Sequence, residues 1–222
     1  MFAAHLNLIN VNPCAPGAAA TPMIVKQIPV GPMANFVYLV VDEGSREAMV
    51  VDSGWEIAPI EEAARSAGAK VKLVVATHDH FDHVSTIPEL ASKLEAKVVA
   101  HENSPIECDM RVGDGQELKL GGKRVRVLFT PGHTEDSICL YDGKEVFTGD
   151  TLFVGTIGRF EAERAEAMYR SLYTVILKLP PLTVIYPGHD YGEVPWRTLG
   201  EERESNPFLM TRDLRSFLSL FS

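Results

Sequence analysis

Four times in this chain an apolar, β-prone run ends in a tight loop that carries a histidine or an aspartate. Residues 71–75 lead into Thr77-His78-Asp79-His80-Phe81-Asp82-His83, residues 125–129 into Pro131-Gly132-His133, residues 145–148 into Gly149-Asp150, and residues 183–186 into Pro187-Gly188-His189. Strand ends gather at one edge of a sheet, so this recurrence points to a single site assembled from distant segments. The first loop packs three imidazoles and two carboxylates between Ala76 and His83. Such density is costly to bury without a cation, and histidine and carboxylate are metal ligands. On a strand that turns, His78 and His80 face one side while Asp82 and His83 come round beside them, so one cluster can serve two ions.

The segments around these loops read as an α/β sandwich. Residues 23–30, 36–41 and 48–51 predict a β meander, with turns at Gly31-Pro32 and Asp42-Glu43-Gly44. Asp52 follows the third strand, where it either braces the neighbouring site or caps the next loop. Helical spacing covers residues 57–67 and 84–94, and the almost wholly apolar run 71–75 between them fits a strand covered on both faces. The Gly121-Gly122 pair predicts a hairpin, and residues 161–179 form the longest helical pattern, stopped by Pro180-Pro181. Residues 213–221 read as a short amphipathic helix with Leu214, Phe217, Leu218 and Phe221 inward, against the domain or against a second copy in a homodimer. His101 reads as a structural histidine. Two halves, each a meander followed by helices, predict a four-layer αββα arrangement over residues 23–222 behind an N-terminal arm, residues 1–22.

Composition narrows the function classes. A formal charge of −9 and no lysine or arginine tract disfavour nucleic acid as a partner. Charges interrupt every apolar segment, so no membrane span is expected. Cys14, Cys108 and Cys139 are scattered with no CxxC, which suits a reducing compartment, with the cytoplasm as the default.

Thr77-His78-x-His80-x-Asp82-His83, Pro131-Gly132-His133-Thr134, Gly149-Asp150-Thr151-Leu152-Phe153 and Tyr186-Pro187-Gly188-His189 resemble, in order and spacing, the ligand set of the metallo-β-lactamase fold superfamily. The resemblance implies two divalent metal ions, zinc first with iron or a mixed pair as alternatives. His78, His80 and His133 would hold one ion, Asp82, His83 and His189 the other, and Asp150 would bridge them with a hydroxide. Asp82 would also orient the attacking water or accept its proton, and Asp79 would form outer hydrogen bonds to the histidines.

Within that superfamily the run from Gly149 to Gly155 and Gly158-Arg159-Phe160 resemble the glyoxalase II group of thioester hydrolases. That resemblance implies cleavage of a small thiol ester, S-acylglutathione or a related compound, with Arg159 and Tyr191 contacting the substrate. Glu161 departs from it, standing where that group has a second tyrosine. The alternative resemblance is to persulfide dioxygenases, through His189-Asp190-Tyr191, Thr198-Leu199-Gly200-Glu201-Glu202 and Asn206-Pro207. It implies one iron on His78, His133 and Asp150, and oxidation of glutathione persulfide; Ile157 departs from it, replacing that group's cysteine.

Overall fold

The computed structural model describes residues 23–211 and 213–221; the expected N-terminal arm, with Cys14, lies outside the described residues. Its backbone is organised by two six-stranded sheets. The first contains β1 (Met23–Val30), β2 (Asn35–Asp42), β3 (Glu47–Val51), β4 (Lys70–Val75), β5 (Lys97–His101) and β6 (Met110–Val112) in sequence order. The antiparallel meander of β1 to β3 gives way to parallel pairing from β3 to β6. The second contains β7 (Glu117–Leu120), β8 (Lys123–Phe129), β9 (Ile138–Tyr141), β10 (Glu145–Gly149), β11 (Val184–Pro187) and β12 (Arg197–Thr198). Only β10 and β11 pair in parallel there.

Strand β2 shows why two sheets and two helical layers follow from the sequence. All its residues are buried, and they alternate between two cores: Phe36, Tyr38 and Val40 meet the second sheet, while Val37, Leu39 and Val41 face the helices outside the first. A third core joins the outer face of the second sheet to its own helices through Val146, Ile185, Met168, Leu172 and Phe217. Three apolar interfaces between four layers make the αββα sandwich expected from the sequence. None of the described helices is long and apolar enough to cross a membrane.

On the first outer face lie α1 (Ala58–Ser66), α2 (Phe81–Val84) and α3 (Ile87–Leu94). The continuous helix expected over residues 84–94 is thus preceded by a separate turn. Between α2 and α3 the Thr86 N–H donates to Ser53 O at 3.1 Å and the Ser85 hydroxyl to Gly54 O, so both groups serve the loop after β3. The second face carries a 3₁₀ turn (Ala162–Arg164), α4 (Ala165–Arg170), α5 (Leu199–Ser205) and α6 (Leu214–Leu218). The long helix expected over residues 161–179 widens into a π turn at Ser171–Val175 and tightens again at Ile176–Lys178. At the widening, the Ser171 hydroxyl donates to Pro131 O at 2.7 Å and ties this helix to the loop holding His133.

The carboxy-terminal expectation needs correction. Phe217 is buried and Leu214 packs on the third core, but Leu218 is 41% and Phe221 49% exposed. Phe217 is the only one of the four that is fully buried; Leu214 and the Phe221 ring pack at the edge of the third core.

Candidate metal centre

Strand β4 delivers the first ligand group by a backbone that its neighbours hold in place. The Thr77 N–H and hydroxyl donate to the two oxygens of Asp52, at 2.8 and 2.9 Å, and the His83 Nδ1–H reaches Asp52 Oδ2 at 2.9 Å. Asp52 has φ +61°, a left-handed conformation that aspartate tolerates better than most residues. Of its two sequence readings, the brace is the one realised. His78 Nδ1 lies 3.0 Å from Thr77 Oγ1, and His80 precedes α2, whose turn presents Asp82 and His83.

The second sheet supplies the rest. His133 follows β8, Asp150 follows β10 and His189 follows β11. His133 Nδ1–H donates to Arg159 O at 2.6 Å and His189 Nδ1–H to Met33 O at 2.9 Å, which fixes each ring and turns Nε2 inward. The outer nitrogens of His78, His83, His133 and His189 are engaged by Thr77, Asp52, Arg159 and Met33 rather than by Asp79, whose charge lies nearest His80 among the histidines. Close packing of the loops needs residues without a Cβ; one on Gly188 would stand 2.4 Å from Asp150 Oδ1, and one on Gly54 1.6 Å from Asp82 O.

The inward atoms converge. His133 Nε2 and His80 Nδ1 are 2.9 Å apart, and His83 Nε2 and His189 Nε2 are 3.1 Å apart. Asp150 Oδ2 lies 3.4 Å from His133 Nε2 and 3.3 Å from His189 Nε2, while its Oδ1 lies 3.4 Å from His83 Nε2. Three overlapping groups result, His78/His80/His133, His78/His83/Asp150 and Asp82/His83/His189, each with ligand atoms within 4.8 Å of one another. His78 Nε2 and Asp150 Oδ1 are buried with no hydrogen-bond partner, a cost of about 1–3 kcal/mol per group in an ordinary core. At most one proton fits each nitrogen–nitrogen gap, so lone pairs remain without donors. Coordination to a cation satisfies these atoms together, and the donor set therefore fits the divalent ions implied by the sequence.

Electrostatics favour the ligand form at His78, His133 and Asp150 and oppose it at His83. Burial pulls His78 well below and His133 below the usual histidine range, so both imidazoles favour the neutral form a metal needs. Burial acts the opposite way on Asp150, but the surrounding histidines, His83 first, outweigh it and keep the carboxylate ionised. On His83 burial is outweighed by Asp150 and Asp52, which push the ring up to about 9.

A cavity of about 600 Å³ opens above His80, Asp82, His133, Asp150 and His189. Arg159 and Tyr191, the two positions at which the resemblance implies substrate contact, both line it. The Tyr191 ring stacks on His189, centroids 4.6 Å apart and 9° from parallel. Asn35 was not anticipated. Its amide nitrogen donates to Asp82 Oδ2 at 2.9 Å, and its oxygen accepts from the Trp55 indole at 2.8 Å. No sequence signal marked it, because its partner is 47 positions away. His101 lies outside the cavity and stacks on Phe129 at 4.2 Å, the structural role expected of it.

The metallo-beta-lactamase superfamily model matches residues 30–189. The hydroxyacylglutathione hydrolase of Chromohalobacter salexigens is 33% identical over 177 residues, 78% of this chain and 69% of that protein. The human mitochondrial persulfide dioxygenase ETHE1 is 32% identical over 199 residues, 87% of this chain and 78% of that protein. The crystal structure of ETHE1 from Myxococcus xanthus matches with a TM-score of 0.83 at 32% identity, covering 89% of each chain.

Proposed function

The chain belongs to the metallo-beta-lactamase superfamily, a superfamily of metal-dependent enzymes, and on that premise we propose that it is a hydrolase that cleaves a small thiol ester with two divalent ions. We assign His78, His80 and His133 to one ion, Asp82, His83 and His189 to the other, and Asp150 to both. The observation that supports this reading is the pair of complete ligand groups with Asp150 reaching each of them.

Divalent ions held there supply Lewis acidity toward the thioester carbonyl and acidify a water toward neutrality. The protein's own groups do the rest. Asn35 and Trp55 hold the Asp82 carboxylate at the cavity floor, where it orients the attacking water and takes its proton. Arg159 faces an anionic group on the substrate, and Tyr191, fixed between His189 and Phe153, offers its hydroxyl as a donor. Among the described residues the site has no serine paired with a base, in keeping with direct attack by water.

A second reading, a mononuclear iron persulfide dioxygenase with the iron on His78, His133 and Asp150, is favoured by the likeness to ETHE1 over most of both chains. Metal content of the purified protein, measured with the two reactions, separates them. The hydrolase reading predicts two ions per chain and thiol release from S-acylglutathione or a related ester without O₂ uptake. One iron per chain with O₂ consumption on glutathione persulfide and no thioester cleavage overturns it.

A further inference from the structure

The apolar wall of the cavity carries a substrate preference. Apart from the ligands, most of its side chains are apolar: Met33, Phe153, Ile157, Phe208 and Phe221. Met33 is 48% and Phe221 49% exposed, so large apolar faces meet water at the rim of the site. The Phe221 ring is held there by Phe160 at 4.8 Å, Phe217 at 5.3 Å and Phe208 at 5.4 Å, and Phe217 is wholly buried. Asp213, accepting from the Ser216 N–H at 2.8 Å, caps α6, which carries Phe217. The wall is thus a fixed surface anchored in the third core.

Charge points the same way. Among the described residues Arg159 is the one cationic side chain lining the cavity apart from histidines, whereas a glutathione moiety brings two carboxylates and an ammonium. A polar substituent laid against Phe208 and Phe221 would lose water and find no partner, while an apolar one would cover surface already exposed.

We propose that this wall is a subsite for an apolar acyl chain or aryl group, so that the substrate is a hydrophobic acyl thioester with at most one anionic group, placed near Arg159. This rests on the thioesterase reading and sharpens it.

The test is a series of thioesters of one small thiol, acetyl to hexanoyl, assayed on the metal-loaded protein and on Phe208→Ala and Phe221→Ala. Burying a methylene against such a wall raises kcat/KM about three- to fourfold per carbon. The two variants should bring that to less than about twofold per carbon. Equal kcat/KM for acetyl and hexanoyl esters, or a chain-length dependence unaltered in both variants, overturns the proposal. Calorimetric binding of linear carboxylates, acetate to hexanoate, the acyl products themselves, keeps the subsite and the reaction apart. Affinity that rises with chain length and falls in the variants, with no thioester cleaved, supports the subsite and rejects the hydrolase; affinity independent of length rejects the subsite.

Discussion

Asp52 holds two elements of the centre from one left-handed residue, the Thr77 backbone on one side and the His83 ring on the other. Its replacement by alanine leaves the His83 Nδ1–H buried without a partner, with only Asp150 and Asp82 on the far side of the ring, and removes the Thr77 partners. Asp52→Ala should lower the unfolding free energy of the metal-free protein by about 3 kcal/mol, measured by denaturant titration. Asp52→Asn tolerates the backbone conformation and should cost less in stability while still weakening metal retention, seen as faster loss to a chelator. Asn35 acts one shell out from Asp82, and Asn35→Ala should lower the metal content of the purified protein below two per chain, with kcat falling about tenfold. An unchanged metal content with unchanged kcat removes the role assigned to it. These residues mark the limit of the sequence reading at this scale. The histidines and aspartates announced themselves by chemical type and by position after strands, but Asn35, Met33 O and Arg159 O act through backbone atoms or an ordinary amide, to which composition gives no weight.

At the level of elements, the strands and the Gly121-Gly122 hairpin were legible because period and turn chemistry are local. The short strands β6 and β12 and the breaks in the helices were not, since each is decided by a partner elsewhere along the chain, such as Ser53 O for Thr86. Helix α5 illustrates the point. Thr198 and Glu201 close its first turn as a capping box, and the wholly buried Glu202 beside them serves the cavity. Its carboxylate accepts from the Gly155 N–H and from Asn206, and pairs with Arg197, while Asn206 also donates to Thr156 O. The loop that presents Phe153, Thr156 and Ile157 is therefore held from behind. Glu202→Ala leaves these partners unmatched and should lower stability by about 3 kcal/mol in thermal or denaturant unfolding, with KM raised more than kcat is lowered.

Across the whole molecule, the seam between the sheets is tied at both ends. At one end Asp42 Oδ2, at the end of β2, accepts from the Ser45 hydroxyl at 2.7 Å and from the Gly122 N–H in the β7–β8 turn at 3.0 Å. The Gly122 N–H, ahead of the opposing effect of burial, holds the Asp42 carboxyl below the usual range. A depressed native value means stability that is present above the ordinary aspartate value and lost as pH falls through the native one. Melting temperatures between pH 5 and pH 2 should therefore fall less steeply in Asp42→Asn than in the parent. At the other end of the seam stands the metal centre, and chelation should lower the melting temperature because ions bind the folded state alone. Its ligands are divided: His78, His80, Asp82 and His83 come from the first sheet's side, and His133, Asp150 and His189 from the second's. Ions shared across that division are clasps whose release must accompany separation of the two halves. Their main effect then falls on the rate of opening: the loaded protein should resist unfolding for far longer than its equilibrium stability requires, and its lifetime should be set by the escape of the ions.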